Sequence, residues 1–432
     1  MSTQSLAFIN TRLVDPETGY DGPGALLAVD GAIAEVRRDG AFPGLSPDIR
    51  VIDAGGAMLC PGLVDIRVKT GEPGSEPKET LKSAARAAAA GGVTSIVVQP
   101  DTAPVIDDPA VADFILRRAR DIGLVNVYPA GAATKGLQGK GMAEIGLLKE
   151  AGCLYVTDAD RPIVDSRVMR RLLAYSGSLG MLVAHRPADP WLTQGASATE
   201  SEFAGRMGLA AEPVAAETIM LERDIALVEL TGSRLLVDQI SAARPLESLA
   251  RAKDRGLPMI ATASINHLSF NELDIGDYRT FCKLIPPLRG EEDRSALIDA
   301  LASGLIDIVV SAHAPAPPEE KRLPYDEAEA GAIGLQTLLP ALLTLYHEGR
   351  VPLTRLIHAV TLAPARAMGL AAGRLAVGAP ADLVMCDVEA PILIDATQLI
   401  SKSKNSAFDG RRLQGAVLMT VVGGRIVHGE AV

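Results

Sequence analysis

Aromatic residues make up only 3% of this 432-residue chain, and Trp191 is its single tryptophan. So few rings argue against the stacking platforms that single-stranded nucleic acids need. Positive charge is in deficit: 42 Lys and Arg against 53 Asp and Glu leave a formal net charge of −11. That balance opposes non-specific nucleic-acid binding and adsorption to anionic membranes. The four cysteines, Cys60, Cys153, Cys282 and Cys386, form no CxxC pair, which reads as reduced, buried thiols in a cytosolic protein. No apolar run is long enough to span a bilayer, and the first ten residues lack the basic and apolar regions of a secretory leader. The expected location is therefore the cytoplasm. What is present is 48% hydrophobic and 22% charged residues, the composition of a globular chain with a substantial core. The length suits about three average domains, or one large barrel with an appendage.

Short strand-like segments punctuated by Gly and Pro fill the first sixty residues and recur in the last fifty. Two β-rich ends suggest one small β-sandwich domain built from residues 1–60 and 372–432. Between them, residues 61–371 alternate strand and helix. Apolar strands are expected at 63–68, 94–98, 125–130, 153–157, 181–185, 234–240, 258–262 and 307–311. Helical patterns lie between and after them, at 77–90, 109–121, 142–151, 165–176, 213–230, 245–255, 291–303, 332–348 and 353–368. Eight β-then-α units predict a (β/α)8 TIM-type barrel, whose chemistry sits at the C-terminal ends of the strands.

Those strand ends carry the phrases PGLVDIRVKTGEPG (61–74), VVQPDTAPVIDDP (97–109), TDADRP (157–162), KLIPPLRGEEDRSALIDAL (283–301) and AHAPAPPEEK (312–321), with GRLAVGAPADLV (373–384) returning to the sheet domain. In this order they resemble the dihydroorotases of the metal-dependent amidohydrolase superfamily. The resemblance implies the fold more firmly than the chemistry. An HxHxREPG phrase would supply the first zinc ligands, but Arg67 and Lys69 stand in both histidine positions. Arginine offers no lone pair, a lysine would need a far depressed pKa, and two cations repel a divalent ion.

The later positions diverge too. By the same resemblance, the ligand histidines of strands five and six fall on Arg186 and Gln239. The general-base aspartate after strand eight falls on Ala312, which cannot take a proton from a metal-bound water. Substrate-contacting positions fall on Gly71, Asp101 and Ile285. Only the strand-four position, Asp158 or Asp160, keeps a plausible ligand, and one carboxylate does not hold catalytic zinc. No catalytic, substrate-binding or metal-ligating set is therefore expected, and zinc is expected to be absent.

His185 adjoins the lost strand-five ligand, but neighbouring side chains in a strand point to opposite faces, so a structural role is expected. His267 and His313 match family histidines and are expected to be hydrogen-bonded. His347, His358 and His428 carry no site signal. Arg67, Lys69 and Arg186 admit two readings: internal neutralisation by Asp101, Asp158 or Asp160, or an anion pocket. The first is preferred because the acidic partners are already in the sequence. The Pro-rich stretch 314–324 reads as a surface loop, and the glycine-rich 131–141 lacks a P-loop ending.

Within the family, degenerate chains of this kind are non-catalytic partners of aspartate carbamoyltransferase in de novo pyrimidine biosynthesis. The resemblance implies that role here, together with self-association. The alternatives are an active dihydroorotase or other cyclic-amide amidohydrolase with an altered metal site, and a small-molecule sensor using the basic mouth. Neither nucleic acid nor membrane is an expected partner.

Overall fold

The structure, a computed structural model, describes residues 5–429. Eight parallel strand segments follow one another in chain order: Leu63–Val68, Val93–Val98, Asn126–Pro129, Tyr155–Thr157, Leu182–His185, Leu235–Val237, Met259–Ser264 and Ile308–Val310. The third continues past Ala130 as Gly131–Ala132, which pairs with the fourth. Each strand thus pairs with the next. One bridge, Val68 to His313, and the Lys69 N–H donating to the His313 carbonyl at 2.8 Å join the eighth strand to the first. This is the expected barrel-like order, thinly bonded at the seam.

The first two strands are buried at every residue, as parallel strands covered on both faces must be. Val64, Ile66, Val97, Tyr155, Leu182, Leu236 and Ile308 pack together from around the ring. A larger cluster joins the strands to the surrounding helices, including the alanine-rich Leu81–Ala90. That helix starts later than position 77 because Thr80 caps it, its side chain accepting from the Ser83 N–H. The last expected helix is two, Leu353–Val360 and Leu362–Met368. Pro364 has no N–H to offer Val360, so the chain breaks at Thr361.

Five strands from the N-terminal part and three from the C-terminal part form one continuous eight-stranded sheet, where a sandwich implies two. Met58–Pro61, too short to be read as a strand in the sequence, joins the halves. It runs parallel to Leu6–Asp15 and antiparallel to Leu383–Leu393. Leu6, Phe8, Leu26, Leu59, Met385 and Val421 share one apolar cluster across the sheet. Between the last two long strands, residues 394–411 leave the sheet and lie over the barrel as a strap. Phe408 packs on Phe270 with ring centroids 4.6 Å apart. Asn405 donates to the carbonyls of Ala314 and Gly331, each at 3.0 Å. Among the described residues, no helix is long and apolar enough to cross a membrane.

Candidate functional site

The first strand delivers Arg67 and Lys69 to the mouth of the barrel, where they form an alternating chain of charges. Arg67 Nε donates to Asp238 Oδ2 at 2.7 Å and Arg67 Nη2 to Asp160 Oδ1 at 2.6 Å. The other Asp160 oxygen takes the Lys69 ammonium, which also meets Asp101 Oδ2 at 2.7 Å. The sequence Asp238–Arg67–Asp160–Lys69–Asp101 thus has one carboxylate bridging two cations. Turned with its carbonyl oxygen inward, the Gln239 amide accepts from Arg67 at 3.0 to 3.2 Å. Arg186 closes over the group, its Nε donating to the Asp160 backbone carbonyl at 3.1 Å.

Burial acts against the charges of Arg67, Lys69 and Asp160, yet pairing prevails. Desolvation pushes the Arg67 guanidinium down, but Asp238 and Asp160 lift it above its ordinary value. Lys69 is raised against the same opposition by Asp101 and Asp160. For Asp160, burial favours the neutral acid, and Lys69, Arg67 and Arg186 hold it far below the usual carboxylate range. Arg67 and Lys69 are thus neutralised from within by Asp238, Asp160 and Asp101, and Arg186 adds its charge near Asp160 without pairing to a carboxylate among the described residues.

The two strand-four candidates separate. Asp160 faces the mouth, whereas Asp158 turns away from it, accepting from the Thr134 N–H at 2.8 Å and from the Thr134 hydroxyl. Burial, chiefly, raises its pKa. The turn between them is made by Ala159 at φ 53°. His185 points away from the mouth: Nδ1 meets Asp224 Oδ2 at 2.6 Å and Nε2 accepts from the Ile163 N–H at 2.9 Å. His313 is fully buried, with Nδ1 accepting from the Gly334 N–H at 3.2 Å and Nε2 3.6 Å from Glu79. His267 is hydrogen-bonded too, its Nε2 donating to the Pro286 carbonyl at 3.1 Å; its Nδ1, like His313 Nε2, has no hydrogen-bond partner.

Asp238 was not singled out in the sequence because it sits beside Gln239, and strand alternation would send the two to opposite faces. The strand ends at Val237, and Gln239 adopts φ 58°, so both side chains reach Arg67. Gly71 lies in the loop after strand one, where an added Cβ would stand 1.9 Å from the Ser75 carbonyl oxygen. No side chain fits there without rebuilding the loop. Ala312, at φ 52°, and Ile285, 42% exposed at the lip, line the mouth with Arg67, Lys69 and Gln239.

This donor set does not fit zinc. The nitrogens that Arg67 and Lys69 bring to the mouth are protonated cations, Asp160, Asp238 and Asp101 are engaged by them, and Ala312 offers nothing to take a proton. Among the described residues, no three His, Cys, Asp or Glu side chains converge as a metal site.

Residues 56–244 match the dihydro-orotase-like family and residues 242–427 the amidohydrolase family. A protein named dihydroorotase from Anaeromyxobacter sp. (strain K) is 42% identical over 421 residues, covering 97% of this chain and 96% of its own length. Another of that name from Desulforapulum autotrophicum is 38% identical, covering 98% of this chain and 99% of its own length. The fold superposes on an L-hydantoinase (dihydropyrimidinase) from Arthrobacter aurescens with a TM-score of 0.87 at 26% identity, over 100% of this chain and 98% of that one. A dihydropyrimidinase from Brevibacillus agri superposes at 0.84 with 20% identity, over 99% and 95%, a likeness of fold alone. With full-length relatives at this identity and a barrel carrying a two-ended sheet domain, the chain belongs to the dihydroorotase family of amidohydrolases.

Proposed function

We propose that this chain is a catalytically inactive dihydroorotase homologue that carries no zinc and serves as a non-catalytic structural subunit. The observation that supports this reading most is the closed ion chain from Asp238 to Asp101 at the seats where the family would hold metal. It uses up the carboxylates, puts positive charge where a divalent ion would sit, and leaves no general base at Ala312. Gly71 adds a second loss, since its loop has no room for a substrate-clamping side chain. A well-packed barrel without its chemistry is retained for its surface. The partner in this reading is the catalytic subunit of aspartate carbamoyltransferase in pyrimidine biosynthesis, with the chain itself self-associated. That partner rests on family resemblance.

The relatives favour a second reading. Proteins named dihydroorotase at 42% and 38% identity over nearly the whole chain support an active cyclic-amide hydrolase with an altered site. One experiment separates the two: elemental analysis of the purified chain beside a dihydroorotate ring-opening assay. Turnover, or zinc at one equivalent or more, defeats the inactive reading. Size-exclusion chromatography of the chain co-expressed with aspartate carbamoyltransferase tests the partnership, which fails if the two elute apart.

A further inference from the structure

The helix after strand four, Ser166–Ser178, and the one that follows the strand-five loop, Ala215–Thr231, pack side by side on the outside of the barrel. Arg223 of the second fixes the start of the first, its Nη1 donating to the carbonyls of Ile163 and Val164 at 2.7 and 3.1 Å. Both begin at the C-terminal ends of the strands, so their first turns lie at the same end of the face. The strand-five loop is tied to that end. The Asp189 N–H donates to the Ala216 carbonyl at 3.0 Å, and Asp189 Oδ1 accepts from the N–H groups of Trp191 and Leu192 at 2.9 and 3.2 Å. This turn holds Trp191 outward, 70% exposed, with Leu192 at 40%. Ile219, one turn along the second helix from the exposed Ala215, is 52% exposed. Single exposed apolar side chains are ordinary; the one indole of the chain, fixed by its own turn beside two more, is not. The first helix adds charge. Arg167, Arg170 and Arg171 are all exposed, and the helix contains no acidic residue. Arg167 reaches only Asp165, at 3.9 Å, and Arg170 and Arg171 make no ion pair among the described residues. Arg167 lies in the first turn, where the helix dipole disfavours a cation, and the last turn has no basic residue. These cations are thus not placed to stabilise their own helix. On the second helix, by contrast, the exposed Glu222 and Glu229 are taken by Arg251 and Arg255.

We infer that this face is a docking surface for a partner protein that offers an apolar pocket to the Trp191 indole and carboxylates to Arg170 and Arg171. Tryptophan and arginine are the side chains that most often dominate binding energy at protein interfaces. The charge selects the partner. In a chain of net charge −11, two uncompensated arginines beside an apolar patch call for an acidic protein surface. A two-fold contact between copies centred here would offer the arginines only glutamates that already hold partners. An anionic bilayer would attract the patch and repel the rest of the chain. The inference rests on the reading of the chain as a structural subunit, since it names the surface that such a subunit would use.

Trp191 is its own reporter, because covering a lone exposed indole shifts its emission to the blue. The full chain is titrated with an amphipathic helical peptide of leucine and glutamate, and separately with its leucine–lysine counterpart. A saturable blue shift is expected with the glutamate peptide and none with the lysine one. Salt at about 1 M, where charges are screened beyond about 3 Å, should weaken the response. Arg170→Glu combined with Arg171→Glu should weaken it about tenfold, at an unchanged Tm, since both positions are exposed. Equal shifts with the two peptides, or none with either, overturn the inference. A shift on raising the protein concentration alone would place a second copy on this face, and a shift with phosphatidylserine vesicles but not with the glutamate peptide would make it a membrane face. Each of these also overturns it. If the double variant does not fold, the peptide pair and the salt series on the unaltered protein decide the matter. Failure to co-elute with aspartate carbamoyltransferase would defeat the proposed partnership, whereas the peptide pair alone decides this face.

Discussion

Arg67→Met removes the central cation of the mouth while keeping most of the side-chain volume. Arg67 is 3% exposed, and its loss leaves Asp238 without an ionic partner and Asp160 with Lys69 alone. Breaking a buried pair by deleting one partner costs about 3–5 kcal/mol, because the other charge stays buried and uncompensated. A chain of 432 residues unfolds with an entropy of about 0.9 kcal/mol/K, so Tm should fall by roughly 3–6 °C. Circular dichroism is the suitable probe, since Trp191 is 70% exposed and reports little of unfolding. The double variant Arg67→Met, Asp238→Asn should recover most of the loss, because Lys69 and Arg186 then face Asp160 and Asp101. EDTA should leave the unaltered protein's Tm unchanged. A Tm within about 1 °C of the unaltered protein for Arg67→Met, or a comparable drop caused by EDTA, would refute the claim that this cation holds the site together.

The pH dependence should be visible at Asp65, fully buried with Oδ2 unpartnered and pushed up to about 6, mainly by burial. A carboxyl whose folded pKa exceeds its unfolded one binds more protons folded, so its contribution falls as pH rises from about 4 to 6 and then stays level. Asp65→Asn should therefore stabilise the chain on the order of 2 kcal/mol at pH 7.5 and hardly at pH 4; urea titrations at the two values check the sign. Gly71→Ala should cost about 3 kcal/mol as the Ser75 carbonyl is forced aside, measured by the same titration, and a neutral result would reopen that loop to a clamping residue. Phe408→Ala, stripping the strap from Phe270, should cost about 3–5 kcal/mol and raise proteolysis within residues 394–411. Unchanged cleavage there would show that the strap is held by its hydrogen bonds alone.

Local patterns carried the barrel. Fully apolar short strands and helices closed by glycine, as at Gly91, are written in neighbouring residues, and the eight strands appear where the chain predicts them. Arg67, Lys69, Gln239 and Ala312 were likewise legible as residues of the barrel mouth, because they stand at the ends of the strands. Other features needed distance in sequence. Met58–Pro61 becomes a strand only because Leu383–Leu393 pairs with it from the far end of the chain. The place of Asp238 depended on a left-handed backbone at Gln239, which no alternation rule anticipates. Residue types thus determined by themselves that cations stand at the end of the first strand. Only tertiary structure decided which of several aspartates neutralise them, since that outcome depends on backbone turns at the ends of strands far apart in sequence.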